Sequence, residues 1–429
     1  MNTLTRMVTA AAAAALPVAA LLAQGVQPPS AIEQFARLQQ DLRSSHGDAG
    51  AYLALSKSMY SFLNGSPRAT LQLMSAQAGS DQANEALRSF AQFVAMGQAG
   101  EEVLKAKSFD TLRALPAYQQ IHADMAANAA RQTSASEVFT LQPAAQVPED
   151  IDFDAPSKLF FITTVLGRQI LQVDMSGRMK LFASAPDQWP MMALKVDSKR
   201  RVLWATEVAL DGFAFTAKEY WGRSAILQFD LRSGKLLHRI EGPSKAALGD
   251  MALSRDGDPL VSDGEHGGVY RVDRSSLAVE RIDAGEFISP QTPAALPDGK
   301  HILVPDYVRG IGVLNLATKQ VAWIPTEGKH ALSGIDGLYS VGNLLLATQN
   351  GASPERVVRF TLNESQTGVV SEDILERATP TLGDPTHGVV VGDYFYYIAN
   401  SGWDALDDHG NLQKGKELPT GRVMRTKII

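Results

Sequence analysis

The chain has 429 residues, of which 45% are hydrophobic and 20% charged, a formal net charge of −6 and no cysteine. That size admits two or three domains of ordinary globular composition. The absence of a basic field excludes a nucleic-acid partner, and the absence of thiols excludes disulfide scaffolds, thiolate metal sites and cysteine nucleophiles.

The first residues read as an export signal. Arg6 supplies a positive start, and residues 7–23 form an apolar run of small residues. The signal is expected over residues 1–23, with cleavage after Ala20 or Ala23. An apolar run of about 16 residues is short against the roughly 20 needed for a bilayer span. The mature chain is therefore expected to be secreted, in the periplasm of a bacterial envelope, with no membrane span.

Residues 30–132 carry helical spacing and almost no strand signal. In residues 51–63, Leu53, Tyr60 and Leu63 recur at helical steps before the break at Asn64-Gly65-Ser66-Pro67. Pro67 suits the first turn of a following helix, where its missing N–H is no loss. A third helix is expected from Asp81, as N-cap, to Gly97. Two shorter helices follow near residues 109–115 and 118–130. Paired short helices with small-residue turns resemble a tetratricopeptide-like array; the expected role is a helical cap or packing domain, and the alternative is a groove for a protein partner.

Residues 133–147 (TSASEVFTLQPAAQV) read as an exposed polar linker. After it the period switches to two. Residues 158–164 (KLFFITT), 169–174 (QILQVD) and 179–183 (MKLFA) are short strands separated by Leu166-Gly167 and Ser176-Gly177 turns. The same unit recurs in residues 191–242, 249–273, 291–316, 335–362 and 386–429. Four-stranded units repeating every 40–50 residues or so predict a propeller. The expected fold is mainly β: a six-bladed β-propeller over residues 148–429, preceded by a small α-helical domain. Residues 422–429 are expected to close the ring by completing the blade begun at Lys158.

In a propeller, the loop entering each innermost strand borders one mouth of the central channel. Aligning the repeats places Glu149, Met192, Asp250, Gln291, Asp336 and His387 at that rim. Three carboxylates, an amide and an imidazole cannot converge there unpaired without a large cost. A hard divalent cation held by oxygen ligands is one solution, and a hydrated channel is another. Hydrogen bonding to loop backbone is the simpler role for Asp250 and Asp336. His387 is either a hydrogen-bonded residue or a general base. Asp263, Glu265 and His266 form a polar turn between strands. Trp189, Trp221, Tyr307 and Trp403 fall near strand ends, where one or two could line a ligand mouth. No nucleophile-elbow serine, zincin, phosphate-loop or dinucleotide motif is present.

The segment from Pro148 to Asp154 (PEDIDFD), the PAALPDGKHILVPDY stretch and the Ile335-Asp336-Gly337-Leu338 segment resemble the gluconolactonase/regucalcin family of six-bladed propellers. The resemblance extends over residues 148–429. It implies a divalent metal, calcium or zinc, held by Glu149, Asp336 and, at the family's Asn position, Gln291. It also implies that Asp336 acts as the base on a lactone or ester. The resulting expectation is a secreted metal-dependent hydrolase with metal ligands Glu149, Gln291, Asp336 and Asp250 and catalytic residues Asp336 and His387. The alternative is a non-catalytic propeller that binds a ligand or protein.

Overall fold

The computed structural model describes residues 29–100, 102–142 and 145–429. The expected export signal lies outside them. No described helix is long and apolar enough to cross a membrane. Residues 132–427 build six antiparallel sheets, five of four strands and one of five, and these are the six expected blades. Their innermost strands are Pro148–Asp154, Met191–Asp197, Leu248–Leu253, Ala294–Ala295, Leu338–Val341 and Gly388–Val391. The second strand of each blade is buried at nearly every position, because both faces of each sheet pack against neighbouring blades. Phe160, fully buried, shows the packing. It meets Phe153 of its own blade, and Phe139 and Tyr396 of blade six, at ring-centroid distances of 4.7, 5.6 and 5.3 Å. Burying such a side chain contributes about 1.5–3 kcal/mol.

The ring closes differently from the expectation. Residues 422–427 pair with Tyr394–Ile398 of blade six, not with blade one. The outermost strand of blade six is Ser136–Thr140, from the stretch expected to be a linker. Gln132–Thr133 likewise adds a fifth strand to blade five. The physical reason lies in Phe139 and Leu141, which join the apolar core between blades six and one. The alternation in SEVFTL is that of an edge strand. Carrying the outer strand of the last blade at the start of the propeller region ties its two ends together and covers an open sheet edge.

Upstream lie helices α1 (Ala31–Ser44), α2 (Ala49–Phe62), α3 (Pro67–Ala78), α4 (Ala83–Ala95), α5 (Asp110–Arg113) and α6 (Pro116–Asn128). Pro67 opens α3 as expected. Asp81 does not cap α4: it takes positive φ in the turn, and Gln82 occupies the cap position. The helices dock on the loops that lead into blades four and five. Ala31 N–H donates to Gly285 O at 2.8 Å, and Asn64 Nδ2 donates to Ile324 O at 2.8 Å. The buried Arg356 guanidinium donates to Met96 O at 3.3 Å. Gly97 has a φ of 73°, and a Cβ there would collide with Arg356. Arg309 lies between Phe62 of α2 and Trp323 of blade four, 4.7 and 4.1 Å from their ring centroids. These loops border the end of the propeller where the innermost strands begin. The helical region therefore stands beside the channel mouth on that face.

Candidate functional site at the channel mouth

The register of each innermost strand against its neighbour fixes which residues share a level. In blade one Pro148 faces Thr164 and Ile151 faces Ile162, with a bulge between them. The same bulge recurs between Met191 and Leu194 and, shifted by a residue, between Leu248 and Asp250. Superposing these registers gives two tiers. The outer tier holds Glu149, Met192, Gly249, Gln291, Asp336 and Thr386, and the inner tier holds Asp150, Ala193, Asp250, Thr292, Gly337 and His387. The rim expected from sequence mixes the two, because Asp250 and His387 sit one residue deeper than the other four.

A repeated hydroxyl locks the tiers together. Thr163, Ser262 and Thr348, each in the second strand of its blade, donate to Met192 O, Gln291 O and Thr386 O of the following blade. Blade six has Ile398 at this position. At the seam between blades six and one the donors are instead Thr386 Oγ1 and His387 Nδ1, at 2.7 and 3.0 Å from Glu149 O. His387 thus joins the seam from its inner-tier position.

Across the channel, His387 Nε2 lies 2.7 Å from Asp250 Oδ1. With a carbonyl oxygen at one ring nitrogen and a carboxylate at the other, the imidazole is satisfied when both nitrogens carry protons. Burial opposes that charge, but Asp150, Asp250 and Asp336 outweigh it and push the His387 pKa well above its ordinary value. Both ring nitrogens are thus engaged, Nδ1 with Glu149 O and Nε2 with Asp250 Oδ1.

Asp250 Oδ1 also accepts from Thr292 Oγ1 at 2.7 Å. Asp336 Oδ2 accepts from Asn350 Nδ2 at 3.0 Å, and Tyr307 O–H donates to Asn350 Oδ1 at 3.0 Å. Glu149 Oε2 accepts from Trp403 Nε1 at 2.5 Å. Each of the three carboxylates keeps a second oxygen (Glu149 Oε1, Asp250 Oδ2, Asp336 Oδ1) to which no described group donates. Burial, together with repulsion from Asp250 and Asp384, raises Asp336 to about 7 against the pull of His387. Burial likewise raises Glu149 well above the carboxylate range. Ligand atoms of Asp250, Asp336 and His387 lie within 4.8 Å of one another.

Gln291 is not brought into this cluster. Its amide donates to Ser289 O at 3.2 Å and to Ser289 Oγ at 3.1 Å, and Thr292, the next residue, reaches the carboxylates instead. Met192 contributes its carbonyl. Asp263 caps the turn at Glu265 and His266 through their backbone amides. Of the four aromatic residues noted, Trp403 and Tyr307 reach the site. Trp189 packs at a tilt on Tyr220, and Trp221 Nε1 donates to Thr216 O.

The alternating acids of PEDIDFD have a separate task. Asp150 Oδ2 accepts from Leu194 N at 2.8 Å and from Lys195 Nζ at 2.6 Å. Asp152 Oδ2 accepts from Val196 N at 2.7 Å, and Asp154 Oδ1 from Ser198 Oγ at 2.6 Å. Steps of two along blade one are matched by steps of two along blade two, so these acids satisfy the open inner edge of the neighbouring sheet. Thr292, Thr386, Asn350 and the Asp150–Lys195 pair were not singled out from sequence. The recurring second-strand hydroxyl was the signal available for finding the tiers.

The chain matches no family model and no curated protein sequence. Solved structures with the propeller fold are similar to it. The PQQ-bound aldose sugar dehydrogenase of Streptomyces coelicolor aligns at 13% identity over 69% of this chain and 99% of its own, with a TM-score of 0.46. A luciferin-regenerating enzyme aligns at 12% identity over 70% of this chain and 96% of its own, with a TM-score of 0.48. Virginiamycin B lyase of Staphylococcus aureus aligns at 13% identity over 68% and 99%, with a TM-score of 0.43. At such identities the likeness concerns the fold alone.

Proposed function

We propose that this chain is a propeller enzyme that holds one divalent cation, calcium or zinc, at the channel mouth and hydrolyses a lactone or small ester there. The observation that carries the reading is the set of three carboxylates, from blades one, three and five, each with one oxygen lacking a protein donor. Repulsion among these acids is part of what raises Glu149 and Asp336, and a divalent cation between them would relieve it. Hard oxygen donors are the set that calcium prefers, and zinc also accepts carboxylates. Glu149, Asp250 and Asp336 are the ligands in this reading, without Gln291. A cation in that position supplies polarisation of the substrate carbonyl and acidifies a bound water.

Asp336 is the base in this reading and accepts the proton of the attacking water. Water adds to the carbonyl carbon, the bond to the alkoxide oxygen breaks, and the proton passes from Asp336 to that oxygen, leaving a hydroxy acid from a lactone or an acid and an alcohol from an ester. His387 stays charged and holds Asp250 and the seam in place, a positioning role. The resemblance to the gluconolactonase/regucalcin propellers supports the same reaction class. Export to the periplasm rests on the pattern of residues 1–23, and a protein partner on the helical spacing of residues 30–132.

The test is turnover of a panel of lactones and small esters with calcium or zinc added, and again after chelation. Asp336→Asn is expected to lower turnover by about 10²-fold or more while leaving the fold intact. Wild-type protein that turns over none of the panel with either metal sinks the hydrolase, and a non-catalytic binding propeller takes its place.

A further inference from the structure

A second cavity, of about 240 Å³, lies wholly within the helical region, between α1, α2 and the start of α3. Phe35, Arg43 and His46 reach it from one face of α1 and its C-terminal turn, Tyr52 and Met59 from α2, and Arg68 from α3. The floor is apolar and buried, including Met59, whereas Arg43, His46 and Arg68 are exposed at the rim. No aspartate or glutamate lines it.

The charge pattern is unlike that of the propeller. There, Arg178, Arg200, Arg201, Arg239, Arg281, Arg359 and Arg422 each hold a carboxylate. Arg43 and Arg68 come from different helices to one cavity, and no described acid pairs with either. Two guanidinium groups brought together without a counter-ion repel each other, and an anion between them removes that cost. The His46 ring stacks on Tyr52 at a centroid distance of 5.1 Å, which gives the rim a flat aromatic edge.

We infer that this cavity binds a small organic acid, with its carboxylate held by Arg43 and Arg68 and an apolar body laid on Phe35, Tyr52 and Met59. Arginine is suited to the role because its planar fork matches a carboxylate with two parallel hydrogen bonds. The cavity volume limits the ligand to a compact molecule, below the usual range for larger cofactors. The inference is independent of the reading of the channel.

The test is calorimetric titration of the full chain with phenylacetate, using its neutral isostere phenylacetamide and inorganic phosphate as comparison probes. Saturable binding of phenylacetate at millimolar concentration or below is expected, with the amide and phosphate each about tenfold weaker or worse. The R43Q/R68Q double variant, changed only at exposed positions, should lose about tenfold in phenylacetate affinity, while its circular dichroism and melting temperature stay those of the wild type. The inference is overturned by equal binding of acid and amide, by an unchanged affinity in the double variant, or by no binding of phenylacetate to wild-type protein. The acid–amide comparison needs only wild-type protein, so it stands even if the double variant folds poorly.

Discussion

Asp150, Asp152 and Asp154 line one side of the channel, and Glu149, Asp250 and Asp336 face one another across its mouth, yet the two trios have opposite hydrogen-bond accounts. The first trio spends its oxygens on the inner edge of blade two, with Leu194 N, Val196 N and Ser198 Oγ as donors. The second trio keeps one oxygen per residue in reserve. Residue type does not separate them, since Glu149 and Asp150 are adjacent in sequence. What separates them is the supply of donors. An open sheet edge offers one N–H at every second residue, and a strand with acids at every second position meets that demand.

The comparison is broken most severely at Asp150. Removing this carboxylate leaves Lys195 buried without its partner, and losing one side of such a pair costs about 3–5 kcal/mol. Chemical denaturation of Asp150→Ala should show that loss, whereas Asp336→Ala, measured without metal, should not be destabilised to a comparable degree. Equal losses for the two would mean that both trios are structural.

His387→Ala sharpens the contrast, because this side chain belongs to both sets. It gives up the bond to Glu149 O at the seam and the charged bond to Asp250. At about 1.5 kcal/mol or more for a hydrogen bond to a charged group, a loss of about 2–3 kcal/mol is expected. A His387 acting only as a base would instead leave the denaturation midpoint unchanged while lowering turnover.

The smallest effect concerns a third kind of acid. Glu207 is fully buried in blade two, and its Oε1 has no hydrogen-bond partner. Burial, then the neighbouring Asp187, raises its carboxyl from the ordinary 4.5 to about 8. Its folded-state value is above its unfolded one, so the folded chain binds the extra proton. The stability this provides is complete below pH 4.5 and is lost as the pH rises towards about 8. Glu207→Gln, which cannot ionise, should therefore gain stability on wild type as the pH rises towards 8, and the gap should close on acidification. Melting curves at both pH values would read the difference, and a variant less stable at the alkaline end would contradict the assignment.

Much of the fold was legible because it rests on periodicity. The blades follow from alternating apolar residues and from Asp-Gly and Ser-Gly turns, and the helices from spacing such as that of Leu53, Tyr60 and Leu63. The seam was not legible, because Ser136–Thr140 is short and polar on one face, and an edge strand of that kind reads like a linker. At the site, sequence brought Glu149, Asp250, Asp336 and His387 to one mouth, but it could not resolve the levels. A bulge adds one residue between paired positions, and no residue type announces it. In blade four it is Thr292, one residue beyond Gln291, that reaches Asp250. Asn350 and Trp403, which hold the carboxylates, come from loops between the second and third strands of blades five and six; Asn350 reaches Asp336 within its own blade, whereas only the closed ring brings Trp403 to Glu149.

The most direct measurement of the central claim is calorimetric titration of metal-free protein with calcium and with zinc at pH 8, repeated at pH 6 and with Glu149→Gln and Asp336→Asn. The account predicts one cation per chain at pH 8. Binding should be weaker at pH 6, where Glu149 and Asp336 hold protons that the cation must displace. It should be lost or strongly weakened in both variants, although each keeps the side-chain shape. No binding of either ion at pH 8, or binding that both variants retain in full, would contradict it.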